Sequence, residues 1–339
     1  MRIAQAIGGM AVLIALMSGC QPSNLRTMTE TQAKVEEAKD EAERAKSTAQ
    51  MLESSDQYTM DVQQAEVEAS TAESKLKSKR LDEAYVSAMQ SLSASQRIFR
   101  QFYLERVAKL AEQSKKAIED EMRIDSDTPL KKMLPELDRI LDVANQLQTG
   151  QAEVSSNTML ADLETSTQTD AIIVGMTKAK IESDVSFDPG KYTLSGRGNA
   201  NLRPLAEKII AQAQQWEKDF PGKWLTINIK VVGYTDEQPF RQGTTLVKNL
   251  TEGVKDSVPK GAETQRKFLN QRLALFRAQN IFDNVKELLL NSGKLPVDVE
   301  IVDDIVGKGE EIPEGVAAPY PQDDPRRRMC KVYSYVIAK

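Results

Sequence analysis

The sequence predicts an all-α N-terminal region of long helices, arranged as a hairpin or bundle, followed by a C-terminal α/β or α+β domain. Three observations support this division. Residues 21–170 are dominated by strong helix formers and contain only two prolines after Pro22. From residue 171 onward, short alternating apolar segments are interspersed with two amphipathic stretches. The charge also changes sign, because residues 21–170 hold 19 basic and 28 acidic side chains whereas residues 171–339 hold 25 and 22.

Residues 1–19 have the layout of a secretory signal peptide. Arg2 precedes the apolar stretch Ala6 to Met17, which is too short to cross a hydrocarbon core of about 30 Å as a helix. Ser18-Gly19-Cys20 resembles the lipobox of bacterial lipoproteins, in which the cysteine becomes the acylated first residue. Acylation of Cys20 would anchor the chain stably, with residues 20–24 as its lipidated start. In that family Gln21 implies an outer-membrane address. The alternative is a plain signal peptide cleaved at a small residue.

The composition argues against an enzyme. The chain contains no histidine, which excludes histidine-based triads, histidine metal sites and imidazole general bases. Apart from Cys20 the one thiol is Cys330, which lies in the strand-like alternation MCKVYSYVI and is predicted to be packed. The sequence therefore predicts a protein that is not an enzyme, needs no cofactor and binds no metal, and we expect no nucleic-acid partner.

Residues 25–170 are predicted to form a helical region. Small side chains recur at alternating spacings of three and four from Met28 to Leu52 and from Val62 to Leu76, with a break at Ser54-Ser55-Asp56. Such seams bury little area, so we expect the helices to pack together as hairpins. A third helix is predicted from Leu81 to about Met122, and Thr128-Pro129 predicts the start of a fourth. Residues 148–169 are predicted to be a linker or a frayed helix, which places the domain limit near Asp170.

In residues 171–339 the predicted elements alternate. Val185 to Phe187 is predicted to end a strand before a turn at Pro189-Gly190. The predicted helices run from Leu202 to Phe220 and from Leu269 to Leu290, and the predicted strands from Leu225 to Val232, Val297 to Val306 and Met329 to Ile337. This order predicts helices on one side of a sheet.

Five motifs in this half resemble, in order, those of the OmpA-like peptidoglycan-binding domain shared by OmpA, Pal and MotB. They are SFDPGKYTLS, VVGYTDEQPF, LNQRLALFRAQNIFDNV, VGKGEEIP and PRRRMCKVYSYVI, and they span roughly Ser186 to Ile337. Tyr234 replaces the histidine of the family's Gly-His-Thr-Asp, and Arg326 replaces the asparagine of its Asn-Arg-Arg. The helical segment Val35 to Phe99 is similar in composition to an alanine-rich hairpin domain of envelope lipoproteins, but a simple helical spacer is the favoured description of what it does. The resemblance implies a mixed sheet with helices on one face.

The resemblance also implies a ligand, the diaminopimelate of peptidoglycan stem peptides, which presents an ammonium and a carboxylate on one carbon. It makes Asp236 the ammonium acceptor and Arg277 the carboxylate donor, a pairing that suits a zwitterion. Asn270 is expected to orient the loop after Asp236, and Thr235 and Tyr234 complete the implied site. The alternatives are that Asp236 only forms a turn and that Arg277 belongs to a solvated helix face.

Residues 237–269 form an insert, because 33 residues separate Asp236 from Asn270 where the family commonly has about ten or fewer. The insert is expected to cap the ligand, to select a modified stem peptide or to recruit a protein. Arg266 and Arg272 are expected to be ordinary surface residues. The basic run from Arg326 to Arg328 is expected either to attract the anionic wall or to protect a sheet edge.

The sequence therefore predicts a tether rather than a catalyst. Lipidated Cys20 would hold the chain to the outer membrane, facing the periplasm, and the C-terminal domain would bind peptidoglycan. The alternative is a component of an envelope assembly for secretion or motility, whose helical region binds partner proteins.

Overall fold

The computed structural model describes residues 27–52, 58–182, 186–187, 191–254, 257–314 and 321–339. The expected signal peptide, Cys20, Gln21 and the turn at Pro189-Gly190 lie outside these ranges. Among the described helices none combines the length and the apolar character needed to cross a membrane. The chain divides into two compact units, Met1–Ser95 and Gln96–Lys339.

The first unit is built from three helices with an alanine-rich core. They are α1 (Met28–Gln50), α2 (Thr59–Lys77) and the first part of α3 (Leu81–Phe102). Thr27 caps α1, since its hydroxyl accepts from the Glu30 amide at 3.2 Å while the Glu30 carboxylate accepts from the Thr27 amide at 3.1 Å. Small side chains from all three helices form the core: Val35, Ala38, Ala42, Ala65, Ala69, Ala72, Ala84, Ala88 and Ala94. The predicted all-α hairpin or bundle is confirmed.

The second unit begins with further helical segments. After α3 the chain continues through a π-helical turn (Tyr103–Ala108), α4 (Lys109–Ile124), a 3-10 turn (Pro129–Met133), α5 (Leu134–Gln148) and α6 (Ser156–Gly175). Ser155 caps α6 by accepting from the Thr158 amide at 3.1 Å, and buried Asp162 accepts from the Tyr103 hydroxyl at 2.6 Å. Residues 156–169 are therefore a packed helix rather than a linker. The domain limit near Asp170 stays a prediction, and α6 continues through that residue.

A four-stranded mixed sheet follows. Its elements are β1 (Thr177–Glu182), α7 (Gly196–Asp219), β2 (Leu225–Tyr234), α8 (Thr245–Thr251), α9 (Ala262–Asn291), β3 (Val299–Gly309) and β4 (Met329–Ala338). The strand order is β1-β4-β2-β3. The β2–β3 pair is parallel, whereas β4 pairs antiparallel with both β1 and β2. The structure thus confirms the predicted C-terminal α/β domain with a mixed sheet.

Strand β2 lies at the centre of the sheet and has two different faces. Ile227, Ile229 and Val231 are fully buried and share a face with Gly233, which contacts α9. Helix α7 packs on the same side, because it contacts both α9 and the sheet. We call this side the helix face. The predicted placement of both long helices on one face is confirmed.

Gly233 is required by the close approach of α9 to this face. A Cβ atom added to Gly233 would lie 2.2 Å from the backbone oxygen of Ala274, which is much closer than real contacts allow. The first glycine of the Gly-Tyr-Thr-Asp motif therefore permits helix and strand to pack directly. It also brings the middle of α9 close to the end of β2.

We expect Gly233→Ala to destabilise the second unit by roughly 1–3 kcal/mol, because the added methyl group meets backbone rather than a movable side chain. Urea unfolding followed by the fluorescence of Trp216 and Trp224, the two tryptophans of the chain, measures this change. Gly196→Ala is the control, since a Cβ there meets nothing within 4 Å. Equal urea midpoints for the two variants would contradict the conclusion that α9 packs directly on Gly233.

The opposite side of β2 and β4 contacts a loop between α4 and α5, and we call it the loop face. Asp125 and Asp127 on this loop accept from side chains of three strands. The hydrogen bonds and ion pairs are Tyr333 Oη to Asp125 at 2.5 Å, Lys331 Nζ to Asp125 at 2.9 Å and to Asp127 at 3.1 Å, Lys308 Nζ to Asp127 at 2.8 Å, and Tyr234 Oη to Asp127. Lys230 Nζ also donates to the Asp127 carbonyl at 2.6 Å. The helical segment after Gln96 is therefore bonded to the sheet, which the sequence did not predict.

The ionisation of this network follows from its contacts. Burial raises the pKa of Asp127, but the donors Lys308, Tyr234 and Lys331 outweigh that effect and lower the pKa to about 2. Burial likewise opposes ionisation of Asp125, and its donors Tyr333 and Lys331 again lower the pKa. Both aspartates are therefore charged at neutral pH.

Candidate functional site

Asp236 lies two residues after the end of β2 and is 5% exposed. Its Oδ2 accepts from Arg328 Nη1 at 3.3 Å, and its Oδ1 accepts from the Gln238 amide at 3.4 Å. The second contact is the i to i+2 pattern of an aspartate that forms a turn. A turn-forming residue does not need a buried ion pair, however. The carboxylate thus has both a local role and a charged partner.

The charge state of Asp236 is set by opposing effects. Burial raises its pKa, while the guanidinium groups of Arg328, Arg277 and Arg327 lower it, and the net result is a pKa above the ordinary value. The ionised form is therefore less favoured than in water. A cationic ligand group beside Asp236 would favour the ionised form.

Arg277 reaches the same region from α9. It is 8% exposed, its Nε donates to the Lys191 carbonyl at 3.4 Å, and its guanidinium carbon lies 5.2 Å from the centre of the Phe187 ring. The interpretation of Arg277 as part of a solvated helix face does not fit this burial. Arg277 is also one of the charges that lower the pKa of Asp236, so its guanidinium lies within electrostatic range of that carboxylate.

Cys330 lies beneath this site. The thiol is fully buried, and burial raises its pKa to about 12 even though Arg277 opposes the shift. Cys330 pairs with Gly233 across β2 and β4. The prediction that Cys330 is packed is confirmed, and its high pKa makes it a poor nucleophile.

Asn270 is buried on α9 and orients a different loop from the one expected. Its Nδ2 donates to Glu310 Oε1 at 2.7 Å, directly after β3. Arg266 donates to the other oxygen of Glu310 at 3.0 Å. Arg266 is therefore part of the site's support rather than an ordinary surface residue. Asn270 acts on the loop after β3, and only indirectly on the residues after Asp236.

Thr235 connects these two loops. Its amide donates to the Gly309 carbonyl at 2.7 Å. Gly309 has a φ of +56° and a Cβ there would lie 2.9 Å from Gln271, so the turn requires glycine. The Thr235 hydroxyl is buried and has no hydrogen-bond partner among the described residues. It is a polar group that a ligand could satisfy.

Tyr234 is not brought together with Asp236 and Arg277. Its side chain lies on the loop face beside Val232, Met329 and Tyr333, and its hydroxyl donates to Asp127. The physical reason is strand alternation, because Gly233 contacts α9 and the next side chain points to the other face. We therefore assign Tyr234 to the loop-face network and leave it out of the ligand site.

Glu237 and Glu310 were not predicted from the sequence, and Arg327 was predicted only as part of the basic run. Arg327 is 1% exposed and donates to Glu237 Oε1 at 2.8 Å and to the Glu310 carbonyl at 2.6 Å. Glu310 thus joins α9, β3 and the loop before β4. The sequence does place Glu237 directly after Asp236 and Glu310 directly after Gly309, and these positions were the available signal that the two glutamates belong to the site.

The basic run has three different environments. Arg326 pairs with Asp324 at 2.5 Å, Arg327 is buried with Glu237, and Arg328 contacts Asp236. Only Arg326 is largely exposed, with 57% of its side chain accessible. The run therefore supports the site more than it presents a continuous basic surface.

The site as a whole combines three carboxylates with four guanidinium groups. The carboxylates are Asp236, Glu237 and Glu310, and the guanidinium groups are those of Arg266, Arg277, Arg327 and Arg328. Such an arrangement can bind a small group that carries both signs of charge, through charge-assisted hydrogen bonds. Within the described ranges no cluster of histidine, cysteine or acidic residues has the arrangement of a metal site.

The chain was compared with known proteins. No family model and no curated protein matches it. Solved structures that resemble it include a MotB-like protein from Desulfovibrio vulgaris, at 19% identity with a TM-score of 0.27, covering 48% of this chain and 76% of that one. The OmpA-like domain of FopA1 from Francisella tularensis matches at 19% identity, TM-score 0.23 and the same coverage. The periplasmic domain of MotB matches at 16% identity and TM-score 0.25, with 48% of this chain and 65% of that chain covered.

Proposed function

We propose that this protein binds the diaminopimelate of peptidoglycan stem peptides noncovalently, and that it links the outer membrane to the cell wall. The observation that carries the proposal is the burial of Asp236, just after the central strand, and of Arg277 on α9, whose guanidinium lies within electrostatic range of that carboxylate. The five ordered sequence motifs support the same ligand.

The chemistry of the ligand matches the two residues. The free end of diaminopimelate carries an ammonium and a carboxylate on one carbon, so it needs an acceptor and a planar donor a few ångströms apart. Asp236 would accept from the ammonium, and Arg277 would hold the carboxylate through two parallel hydrogen bonds. Both side chains are buried, so their charges are screened less than at an open surface. Thr235 and Asn270 are proposed as supporting residues.

Arg328 is the charged partner that the protein itself provides for Asp236. Its Nη1 donates to Oδ2 of Asp236 at 3.3 Å and compensates the buried carboxylate. An incoming ammonium would share the carboxylate with Arg328 or replace it. Binding therefore exchanges one ion pair for another and forms no covalent bond, which suits a mechanical link.

The membrane side of the proposal rests on the lipobox at Ser18-Gly19-Cys20. A chain fixed at its lipidated start samples a small volume, so even a modest affinity of the second site gives high occupancy at the nearby wall. In this proposal the protein acts by binding alone, without enzymatic activity and without a cofactor. It faces the periplasm from the outer membrane.

Co-sedimentation of the full chain, purified in detergent, with isolated sacculi tests this function. We expect the wild-type chain to pellet with sacculi, and the Asp236→Ala and Arg277→Ala variants to remain mostly in the supernatant. Each substitution removes one partner of a charged contact that the ligand needs. Undiminished pelleting of both variants would sink the site assignment.

One observation favours the alternative role as a component of an envelope assembly. The first unit exposes the apolar side chains of Met60, Val67 and Val86, at 80%, 61% and 52%. These residues would bind partner proteins, while the wall-binding domain fixes the position of the assembly. Crosslinking from position 67 in whole cells tests this: a discrete heterologous adduct is expected, and crosslinks to lipid or solvent alone would exclude it.

A further inference from the structure

The first part of the insert, residues 237–254, packs against α9, and residues 262–269 of the insert form the first turns of α9 itself. Its helix α8 (Thr245–Thr251) is capped by Thr244, whose hydroxyl accepts from the Val247 amide at 3.4 Å. Val247 and Leu250 are buried and form one apolar cluster with residues of α9 and of the loop before α7. The other members of the cluster are Leu269, Leu273, Tyr192, Phe240, Leu246, Phe268 and Phe276. The insert is therefore a packed layer on α9.

The end of α8 is held by Arg272. Its Nε donates to the Leu250 carbonyl, one of the carbonyls that a helix end leaves without an internal partner. Its guanidinium carbon lies 5.1 Å from the ring centre of Phe276 and 5.9 Å from that of Phe268. Arg272 was expected to be an ordinary surface residue. Instead it connects α9 to the insert, five residues before Arg277.

A second connection runs from the insert to the segment that bonds Arg277. Asn249 Nδ2 on α8 donates to the Tyr192 hydroxyl at 3.3 Å. The Tyr192 ring contacts Phe276 edge-on, with centroids 5.2 Å apart and an interplanar angle of 74°. The carbonyl of the preceding residue, Lys191, accepts from Arg277 Nε at 3.4 Å. The insert thus fixes Tyr192, and Tyr192 fixes the backbone that Arg277 bonds to.

This arrangement bears on how Arg277 is oriented. A guanidinium is planar, so a hydrogen bond at Nε helps to set the plane in which the remaining N–H groups lie. Two parallel hydrogen bonds to a carboxylate depend on that plane, and a small rotation weakens both of them. Recognition of the ligand's ammonium by Asp236 does not depend on the plane of Arg277.

We propose that the insert positions Arg277 through Asn249 and Tyr192, and that it thereby sets the preference for diaminopimelate over lysine in the stem peptide. The inference rests on the proposed function. It assigns the insert a positioning role rather than that of a lid or a partner-binding loop. Tyr192 and Asn249 are positioning residues, because they act on the ligand only through Lys191 and Arg277.

The test is a titration of the full chain, in detergent, with two stem peptides that differ only in carrying diaminopimelate or lysine. Tyr192→Phe removes one hydroxyl, and Asn249→Ala removes its donor, so both variants should fold. We expect each variant to lose roughly two- to tenfold in affinity for the diaminopimelate peptide. Affinity for the lysine peptide should not change, because lysine has no second carboxylate, so the ratio of the two affinities falls.

Gln242→Ala is the matched control within the insert. Gln242 bonds Gln265 at 2.9 Å on an exposed surface, without contact to Tyr192 in the described structure. In the Gln242→Ala variant, the ratio of the affinities for the diaminopimelate and lysine peptides should equal that of the wild type. If the wild-type chain binds neither peptide, or binds both equally, the proposed function fails. If the wild type discriminates and both insert variants keep its ratio, or lose affinity for both peptides alike, the positioning role is refuted.

Discussion

Asp127→Ala should lower the free energy of unfolding of the second unit by about 3–5 kcal/mol, the range measured when one partner of a buried ion pair is removed. Asp127 is 3% exposed, and its carboxylate accepts from Lys308 at 2.8 Å, from Lys331 at 3.1 Å and from the Tyr234 hydroxyl. The substitution leaves two ammonium groups and a hydroxyl without this acceptor. Urea unfolding monitored by tryptophan fluorescence measures the loss.

The matched control is Asp138→Ala. Asp138 pairs with Lys115 at 2.7 Å, but its side chain is 55% exposed, so its removal should cost less than about 1 kcal/mol. Similar losses for the two variants would contradict the account of the loop face.

The same network should make the wild-type protein sensitive to acid. The folded-state pKa of Asp127 is lowered from 3.8 to about 2, so its stabilising contribution is complete above about pH 4 and is lost as the pH falls toward 2. Asp125, whose pKa is also lowered, acts in the same direction. In the Asp127→Ala variant, the free energy of unfolding should depend less on pH between about 4 and 2. The same dependence as in the wild type would contradict the role given to Asp127.

Arg277→Gln should reduce the affinity for a diaminopimelate stem peptide at least about 30-fold, equivalent to about 2 kcal/mol for losing a charged partner at a buried contact. The affinity for the matching lysine peptide should change little, since that peptide lacks the carboxylate that Arg277 is proposed to hold. Asp236→Asn should weaken both peptides, because each presents an ammonium. Isothermal titration of the full chain in detergent measures all four affinities.

The control for charge alone is Arg203→Gln, which removes an exposed guanidinium on α7. Its affinities should match those of the wild type. An equal loss in Arg203→Gln and Arg277→Gln would show that the site responds to net charge rather than to a specific contact.

Local patterns were enough to predict the elements that carry the site. The alternation from Leu225 onward defines β2, and the long apolar stripe of α9 appears over Ala262–Asn291. The close approach of strand and helix at Gly233 is seen only in the structure. Asp236 after β2 and Arg277 on α9 are both buried, and α9 packs against β2, so the local signals agree with the topology of the sheet.

Contacts between distant segments could not be predicted from such patterns. Asp127 is separated by 107 residues from Tyr234 and by 204 from Lys331, and nothing in the sequence around Asp125 or Asp127 marks them as partners of a sheet. The assignment of Tyr234 to the ligand site failed to anticipate this network. A polar side chain on a strand forms hydrogen bonds with the groups that pack on the same face of the sheet, and the sequence does not identify those groups.

Helix α6 and the insert show a second limit. Residues 148–169 are rich in polar side chains and short of large apolar ones, yet Ser156–Gly175 is helical. This helix packs against α4 and the π-helical turn, and it buries Met159 and Ile172 together with four polar residues. Tertiary contacts outweigh weak local preference in this case. The packing of the insert's short helix on α9 was not predicted either.

The most direct test of the central claim is the titration of the wild-type full chain with the two stem peptides. We expect clear binding of the diaminopimelate peptide and at least tenfold weaker binding of the lysine peptide, because the lysine peptide cannot form the hydrogen bonds to Arg277. Equal affinity for the two peptides would contradict the proposed site.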